Sequence, residues 1–404
     1  MENNIKKVNP VFGADPYVLF DEKSQNYYCY CTSGDDDDDF TFSIYRSKDL
    51  INWIYVGRAL DKTKKSWAKD WFWAPECYQS PYSKKFFLFY SARVKDSLLK
   101  EYFGTTNYDE GTKIGVAVSS SPEGPFINLT DHPIEYYPYN PDQLVLAPLM
   151  KNPLEPCTLE EASKAKKGLH LSSIDVNVFF DDDGKIYLYF SKCAYPNWTY
   201  DEKYHKFIEE SNICAVELNT DWYTDKEGNK PVTIAREFID SNRNNDSPVR
   251  EDGFIQVISY HKDPQAWENA DIDDFSRYHD RKDRRWSEGS TTFTRVIDGK
   301  KKYFLMYSAN HYMQPQYGVG VATSNSPFGP FKKNPNNPII SEDPKEDVFS
   351  TGHGSLIEKG HDYYYVFHAR RDMNPRRSIY ITKLSFDGLN ISHGELIECN
   401  LLTD

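Results

Sequence analysis

Three acidic residues stand near the openings of three of five repeated segments in this chain, and that shared phase is its first chemical clue. The segments open Gly13-Ala14-Asp15-Pro16-Tyr17, Phe72-Trp73-Ala74-Pro75-Glu76-Cys77, Ser173-Ile174-Asp175-Val176-Asn177, Trp286-Ser287-Glu288-Gly289-Ser290 and Thr351-Gly352-His353-Gly354-Ser355. Two carboxyl groups whose surroundings separate their pKa values can serve as general base and general acid. A third carboxylate close to the acid raises its pKa by like-charge repulsion and keeps it protonated at neutral pH. Cleavage of a glycosidic bond needs such a set, with one acid protonating the departing oxygen and another activating water on the opposite face. Two Asp and a Glu fit a base, a modulator and an acid. Singly each reads as ordinary, since Asp-Pro favours a turn. The common phase of Asp15, Asp175 and Glu288 favours chemistry.

Behind each opening comes the same phrase: an aromatic-rich strand ending in a small residue, a gap, then a second strand. The copies are Tyr27–Thr32 with Ser43–Ser47, Phe86–Ala92 with Ile114–Ser119, Ile186–Cys193 with Asn212–Leu218, Tyr303–Ala309 with Tyr317–Thr323, and Tyr363–Ala369 with Ser378–Lys383. Two copies share a tail, Ser121-Pro122-Glu123-Gly124-Pro125-Phe126 and Ser326-Pro327-Phe328-Gly329-Pro330-Phe331. A repeated strand unit cannot bury its face alone, so copies must stack. Five antiparallel units predict an all-β, five-bladed β-propeller whose innermost strands line a channel. It is read as a single domain over residues 1–404. Long inter-strand insertions at Asn128–His170, Tyr195–Ser211 and Asn219–Trp286 are expected to wall the channel mouth. Short helices are expected at Leu159–Lys167, capped by Thr158, and in the charged stretch Ala266–Arg285. Trp53 is expected to pack between blades. Asp35–Asp39 reads as a solvated hairpin turn, because calcium loops place ligands on alternate residues.

Composition excludes several classes. The chain has 404 residues, 30 Tyr, 24 Phe and a net charge of -13. An acidic surface repels phosphate backbones, which argues against nucleic acid. No apolar run of about 18 residues is present, so no membrane-spanning segment is expected. Met1–Lys7 lacks an apolar signal region, which predicts a cytoplasmic protein, or a secreted one if a leader was removed. The seven cysteines show no metal-binding spacing and read as buried reduced thiols. Sequons at Asn128, Asn197, Asn245 and Asn390 are read as incidental.

From about Asn9 to Lys383 the motifs resemble glycoside hydrolase family 43, five-bladed propeller enzymes acting on arabinose- and xylose-containing polysaccharides. The resemblance implies that Asp15 is the general base, that Asp175 orients the acid and tunes its pKa, and that Glu288 is the general acid. It implies inversion of anomeric configuration, for which the two carboxyl groups should lie roughly 6.5–9.5 Å apart. Trp73–Glu76 matches the family's Trp-Ala-Pro-Glu, and Tyr317–Ser324 resembles its blade-four strand. Gly352-His353 matches the family's Gly-His, implying a calcium or other ion at the axis near His353, held largely through water. No cofactor is implied for the chemistry. Ser287-Glu288-Gly289-Ser290 departs from the common Tyr-Glu-Gly-Pro. The chain ends soon after the fifth repeat, without the C-terminal β-sandwich of many xylosidases, so the insertions are expected to close the site. Retaining fructosidases share the five-bladed form, but their Asn-Asp-Pro and Glu-Cys motifs differ from Ala14-Asp15-Pro16 and Glu288-Gly289.

Substrate contacts are expected from Trp73, whose ring complements the C–H-rich face of a sugar, and from Tyr312, with inter-blade packing as the competing role. Trp71 and Trp198 carry the same two readings. His311 is expected to face the pocket. Arg370 is expected to donate to sugar hydroxyls or to the base carboxylate, or to pair with Asp372, and Arg371 to point away. The leading function is an inverting exo-acting α-L-arabinofuranosidase, or β-D-xylosidase, on plant cell-wall arabinan or arabinoxylan oligosaccharides. The alternatives are an endo-arabinanase, which needs an open cleft, and a carbohydrate-binding propeller, which has no use for three acids. The partner expected is an oligosaccharide; the oligomeric state is not readable from the sequence.

Overall fold

The computed structural model describes residues 9–33, 41–134, 172–193, 199–201, 206–235, 255–260, 263–273, 281–372 and 374–402. Blade one comprises β1 (Ala14–Asp21), β2 (Asn26–Thr32), β3 (Phe42–Ser47) and β4 (Asn52–Arg58). Blade two comprises β5 (Ala68–Gln79), β6 (Phe86–Val94), β7 (Thr112–Ser119) and β8 (Ile127–Asn128). Blade three is built on β9 (Ser172–Phe180), β10 (Ile186–Cys193) and β12 (Lys206–Leu218), which pairs with both β11 (Thr199–Asp201) and β13 (Ile255–Ile258). β14 (Asn269–Asp273) leads into blade four, β15 (Arg281–Ile297), β16 (Lys300–Ala309), β17 (Gly318–Ser324) and β18 (Lys332–Lys333). Blade five is β19 (Val348–Lys359), β20 (Asp362–Arg371), β21 (Ser378–Asp387) and β22 (Asn390–His393), with β23 (Ile397–Glu398) beside β21. The inner strands touch in the order β1, β5, β9, β15, β19 and back to β1, closing a five-bladed propeller.

Alternation along each second strand explains why the repeats are aromatic on both faces. Tyr28 and Tyr30 of β2 pack with Leu88 and Tyr90 of β6. Cys29 and Cys31, on the other face of β2, pack with Val366 of β20. Phe87 and Phe89 meet Leu188 and Phe190 of β10, Tyr187 and Tyr189 meet Leu305 and Tyr307 of β16, and Phe304 and Met306 meet Tyr365 and Phe367 of β20. The core is therefore five wedges, one between each pair of neighbouring blades. Each fully buried ring is worth about 1.5–3 kcal/mol. Trp53 is buried in the wedge between blades five and one.

The shared Ser-Pro tails have the same cause in both places. Tyr30 donates its hydroxyl to the Pro122 carbonyl at 2.6 Å, and Tyr189 donates to the Pro327 carbonyl at 2.6 Å. A tyrosine of one blade thus grips the tail of the next. The ring is closed by main-chain bonds between the chain ends: Val11 N–H donates to Cys399 O, Ile379 N–H to Val11 O and Gly13 N–H to Arg377 O. β24 (Asn400–Leu401) adds a parallel strand to β4.

The stretch Ala266–Arg285 does not form the expected helix where it is described. It is a single 3-10 turn at Ala266–Glu268 followed by β14 and the start of β15, which pair antiparallel. β15 also pairs in parallel with the extended start of β12, from Phe207↔Lys282 to Ser211↔Trp286. Strand partners on both sides outweigh the helix propensity of a charged segment. Asp35–Asp39, Leu159–Lys167 and Trp198 lie outside the described residues.

Each inner strand carries a left-handed residue near its start: Asp15 (φ 52°), Ala74 (φ 50°), Asp175 (φ 59°), Gly289 (φ 58°) and His353 (φ 39°). The ladder register shifts beside each of them. Four of the five are not glycine, and each such residue costs on the order of 1–3 kcal/mol. Bulges of this kind re-aim side chains at strand ends.

Candidate active site

The bulges fix the site through a repeated contact between blades. The register pairs Ala14 with Thr32, Trp73 with Ser91, Ile174 with Ser191, Glu288 with Ser308 and Gly352 with His368. In four blades the left-handed residue donates its N–H to one of these side chains on the preceding blade. Ala74 donates to Thr32 Oγ1 at 2.9 Å, Asp175 to Ser91 Oγ at 2.9 Å, His353 to Ser308 Oγ at 2.6 Å and Asp15 to His368 Nδ1 at 3.1 Å. At the fifth junction Ser191 Oγ has no hydrogen-bond partner among the described residues. There the Gly289 N–H serves the Asp175 carboxyl group.

Asp15, Asp175 and Glu288 are thereby brought to one cavity of about 380 Å³. Their phases differ by one residue. Asp15 and Asp175 are themselves the left-handed residues, whereas Glu288 precedes the left-handed Gly289 and corresponds to Ala14, Trp73, Ile174 and Gly352. Gly289 is required here, because a Cβ on it would lie 2.7 Å from the His353 ring.

Each acid has a distinct environment. Asp15 accepts from Thr32 Oγ1 at 2.7 Å, and its Oδ1 lies 3.3 Å from His353 Nδ1 and 3.5 Å from Arg377 Nη1. Burial opposes its ionisation, but the neighbouring His353 and Arg377 outweigh that and hold the carboxyl well below the usual range. His368 itself is pushed down to about 3, chiefly by burial. Its Nδ1 accepts the Asp15 N–H, so the ring is neutral with its proton on Nε2. Asp175 goes the other way: burial first, then the charges of Glu288 and Asp15, raise it well above an ordinary carboxylic acid. Glu288 accepts two bonds, from Trp286 Nε1 at 2.6 Å and from the Tyr317 hydroxyl at 2.6 Å. The site thus holds an ionised carboxylate at Asp15 and a proton-retaining carboxyl at Asp175, the separation that acid–base chemistry uses.

Trp73 lines the cavity, stacked on Trp71 at 5.0 Å and packed in a small cluster with Ile174, Cys193 and Trp286. Trp71 also lines it and carries the Arg93 guanidinium over its ring at 4.0 Å. His311 and Tyr312 line the opening and stack on each other at 5.2 Å. Burial, with Arg284 and Arg370 nearby, lowers His311 to about 3, and its Nδ1 accepts the Met313 N–H. A neutral ring with Nε2–H results, a donor suited to a sugar hydroxyl.

The arginine at the base is not the expected one. Arg370 is buried outside the cavity lining, near Tyr312 and the Asn374 carbonyl. Arg377 lines the cavity instead. The cause is backbone pairing, since the Gly13 N–H donates to Arg377 O and sets that residue beside Asp15. Glu110, Arg284 and Trp286 also line the cavity and were not singled out from sequence.

His353 does not by itself suit the axial ion that the resemblance implies. Its Nδ1 faces Asp15 at 3.3 Å and Asp175 Oδ2 at 3.7 Å, and among the described residues no three His, Cys, Asp or Glu form a metal cluster. Calcium takes six to eight oxygen ligands. A fourth buried carboxyl, Glu76, lies two residues past the blade-two bulge. Tyr78 and the Val178 N–H donate to it, and burial raises it to about 8.

Comparison with known proteins agrees with this geometry. A family model described as glycosyl hydrolases family 43 matches residues 6–143 and 277–389. A β-D-galactofuranosidase of Aspergillus niger is 24% identical over 408 residues, covering 99% of this chain and 86% of that protein. Among solved structures, an endo-1,4-β-xylanase of Bacteroides thetaiotaomicron superposes with a TM-score of 0.63 at 26% identity, covering 98% of this chain and 99% of that one. A thermostable family-43 glycoside hydrolase gives 0.61 at 26% identity, covering 97% of both chains.

Proposed function

The chain belongs to glycoside hydrolase family 43, and we propose that within it the protein is an inverting, exo-acting α-L-arabinofuranosidase, with β-D-xylosides as the next substrate class. As a family 43 glycosidase it hydrolyses O-glycosyl bonds of a carbohydrate, so the binding-only propeller falls away. In the proposed reaction Asp15 takes a proton from a water that attacks the anomeric carbon. Glu288 gives a proton to the departing oxygen as the C–O bond breaks, and Asp175 tunes and orients that acid. The ring charge that develops in the transition state lies among three carboxyl groups.

The observation that carries this reading is the convergence of Asp15, Asp175 and Glu288 on one cavity, where His353 and Arg377 favour an ionised Asp15 and burial with like charge raises Asp175. Trp73, Trp286, His311 and Tyr312 line the same cavity as the acids and offer ring faces to a sugar. A second reading is supported by the Aspergillus niger relative. β-D-Galactofuranose has the ring stereochemistry of α-L-arabinofuranose with a longer exocyclic tail, so the same acids would serve it.

The test is a panel of aryl α-L-arabinofuranoside, β-D-xyloside and β-D-galactofuranoside, followed by arabinan and arabinoxylan. The proposal expects the highest kcat/KM on the arabinofuranoside, with monosaccharide as first product. A galactofuranoside preference would establish the second reading. Oligosaccharides as first products from debranched arabinan would overturn exo action.

A further inference from the structure

Glu288 is held at both oxygens. Trp286 Nε1–H donates to Oε2 and the Tyr317 hydroxyl to Oε1, each at 2.6 Å. Both donors are buried rings. Tyr317 is seated with unusual closeness, because its ring stacks on His368 at an interplanar angle of 10° and passes directly over Gly352. A Cβ at residue 352 would fall 2.1 Å from Tyr317 Cε1. The glycine of Gly352-His353 therefore makes room for Tyr317, just as Gly289 makes room for the His353 ring. The Glu-Gly and Gly-His motifs interlock, and the residue they lock in place is a tyrosine aimed at the acid.

We propose that Tyr317 is a positioning residue for the general acid, whose hydroxyl, donating to Oε1, fixes the Glu288 side chain and orients the oxygen that addresses the glycosidic bond. This rests on Glu288 being the acid. Donors to a carboxylate favour its charged form. The bond to Tyr317 thus fixes the direction of proton delivery.

The experiment is the pH profile of kcat/KM for Tyr317→Phe on a glycoside with a poor leaving group, beside Glu288→Gln, with thermal melts of both. Tyr317→Phe removes one hydrogen bond from the Glu288 carboxyl group. Its loss should move the alkaline limb upward by roughly one to two pH units. A merely structural role would lower the rate evenly across pH and leave the limb in place, and that result, or a downward shift, overturns the proposal. If Tyr317→Phe does not fold, Trp286→Phe removes the other donor and carries the same expectation. If Glu288→Gln still hydrolyses poor leaving groups, the acid assignment itself fails. If Glu288→Gln is inactive and the limb stays fixed in the tyrosine variant, only the role of Tyr317 fails.

Discussion

Four junctions of this propeller are built one way, and the junction between blades three and four another. At the four, a left-handed residue on one blade donates its N–H to Thr32, Ser91, Ser308 or His368 on the blade before. At the remaining junction the equivalent serine, Ser191, receives no such bond, and the Gly289 N–H goes to the Asp175 carboxyl group. Glu288 stands one residue before that glycine. The fold repeats a stabilising contact around the ring and departs from it beside Asp175 and Glu288.

The largest effects should come from the acids that line the cavity. Glu288→Gln is expected to lower kcat on glycosides with poor leaving groups by about 10²–10⁴-fold, with much smaller losses on activated aryl glycosides. Asp15→Asn should lose activity on both, since it removes the base for water. Steady-state kinetics on paired substrates separates the two, and equal losses in Glu288→Gln on both substrate types would argue against its role as acid.

Next in size is a pH effect in blade two, whose bulge residue is Ala74 and whose acid lies deeper. Glu76 titrates near 8 in the folded protein, above its ordinary value of 4.5. Between those values the folded state binds the extra proton, so stability falls as pH rises through this window. Glu76→Gln should flatten the fall, measured as the slope of unfolding free energy between pH 5 and 8; an unchanged slope would show that Glu76 is not its source.

The comparison of junctions is sharpest in two serines. Ser91→Ala leaves the buried Asp175 N–H without its acceptor and should cost about 1–3 kcal/mol. Ser191→Ala removes a hydroxyl with no partner among the described residues and should change stability by less than about 0.5 kcal/mol. Equal costs in denaturant titrations would erase the distinction between the junctions.

The blades and the acids were legible because both follow the repeat. Aromatic strands recur since each buries both faces between neighbours, and Asp15, Asp175 and Glu288 fall near the openings of inner strands. What did not follow the repeat was not legible. Arg377 reaches Asp15 because the chain ends pair across the ring closure, which no local pattern encodes. Tyr317 was visible as the start of a strand, but its aim at Glu288 depends on the space left by Gly352. The strand pair in Ala266–Arg285 was hidden because its partner, the extended β12, lies more than fifty residues away.

In the proposed reaction two carboxyl groups work from opposite faces of one sugar ring, with water between base and substrate. Proton NMR of the first-formed product from an α-L-arabinofuranoside, or from the best substrate of the panel, reads this directly. Inversion gives the β-anomer from an α-substrate, appearing before mutarotation. The α-anomer as first product would contradict it, because retention requires a covalent intermediate that this assignment of Asp15 does not provide.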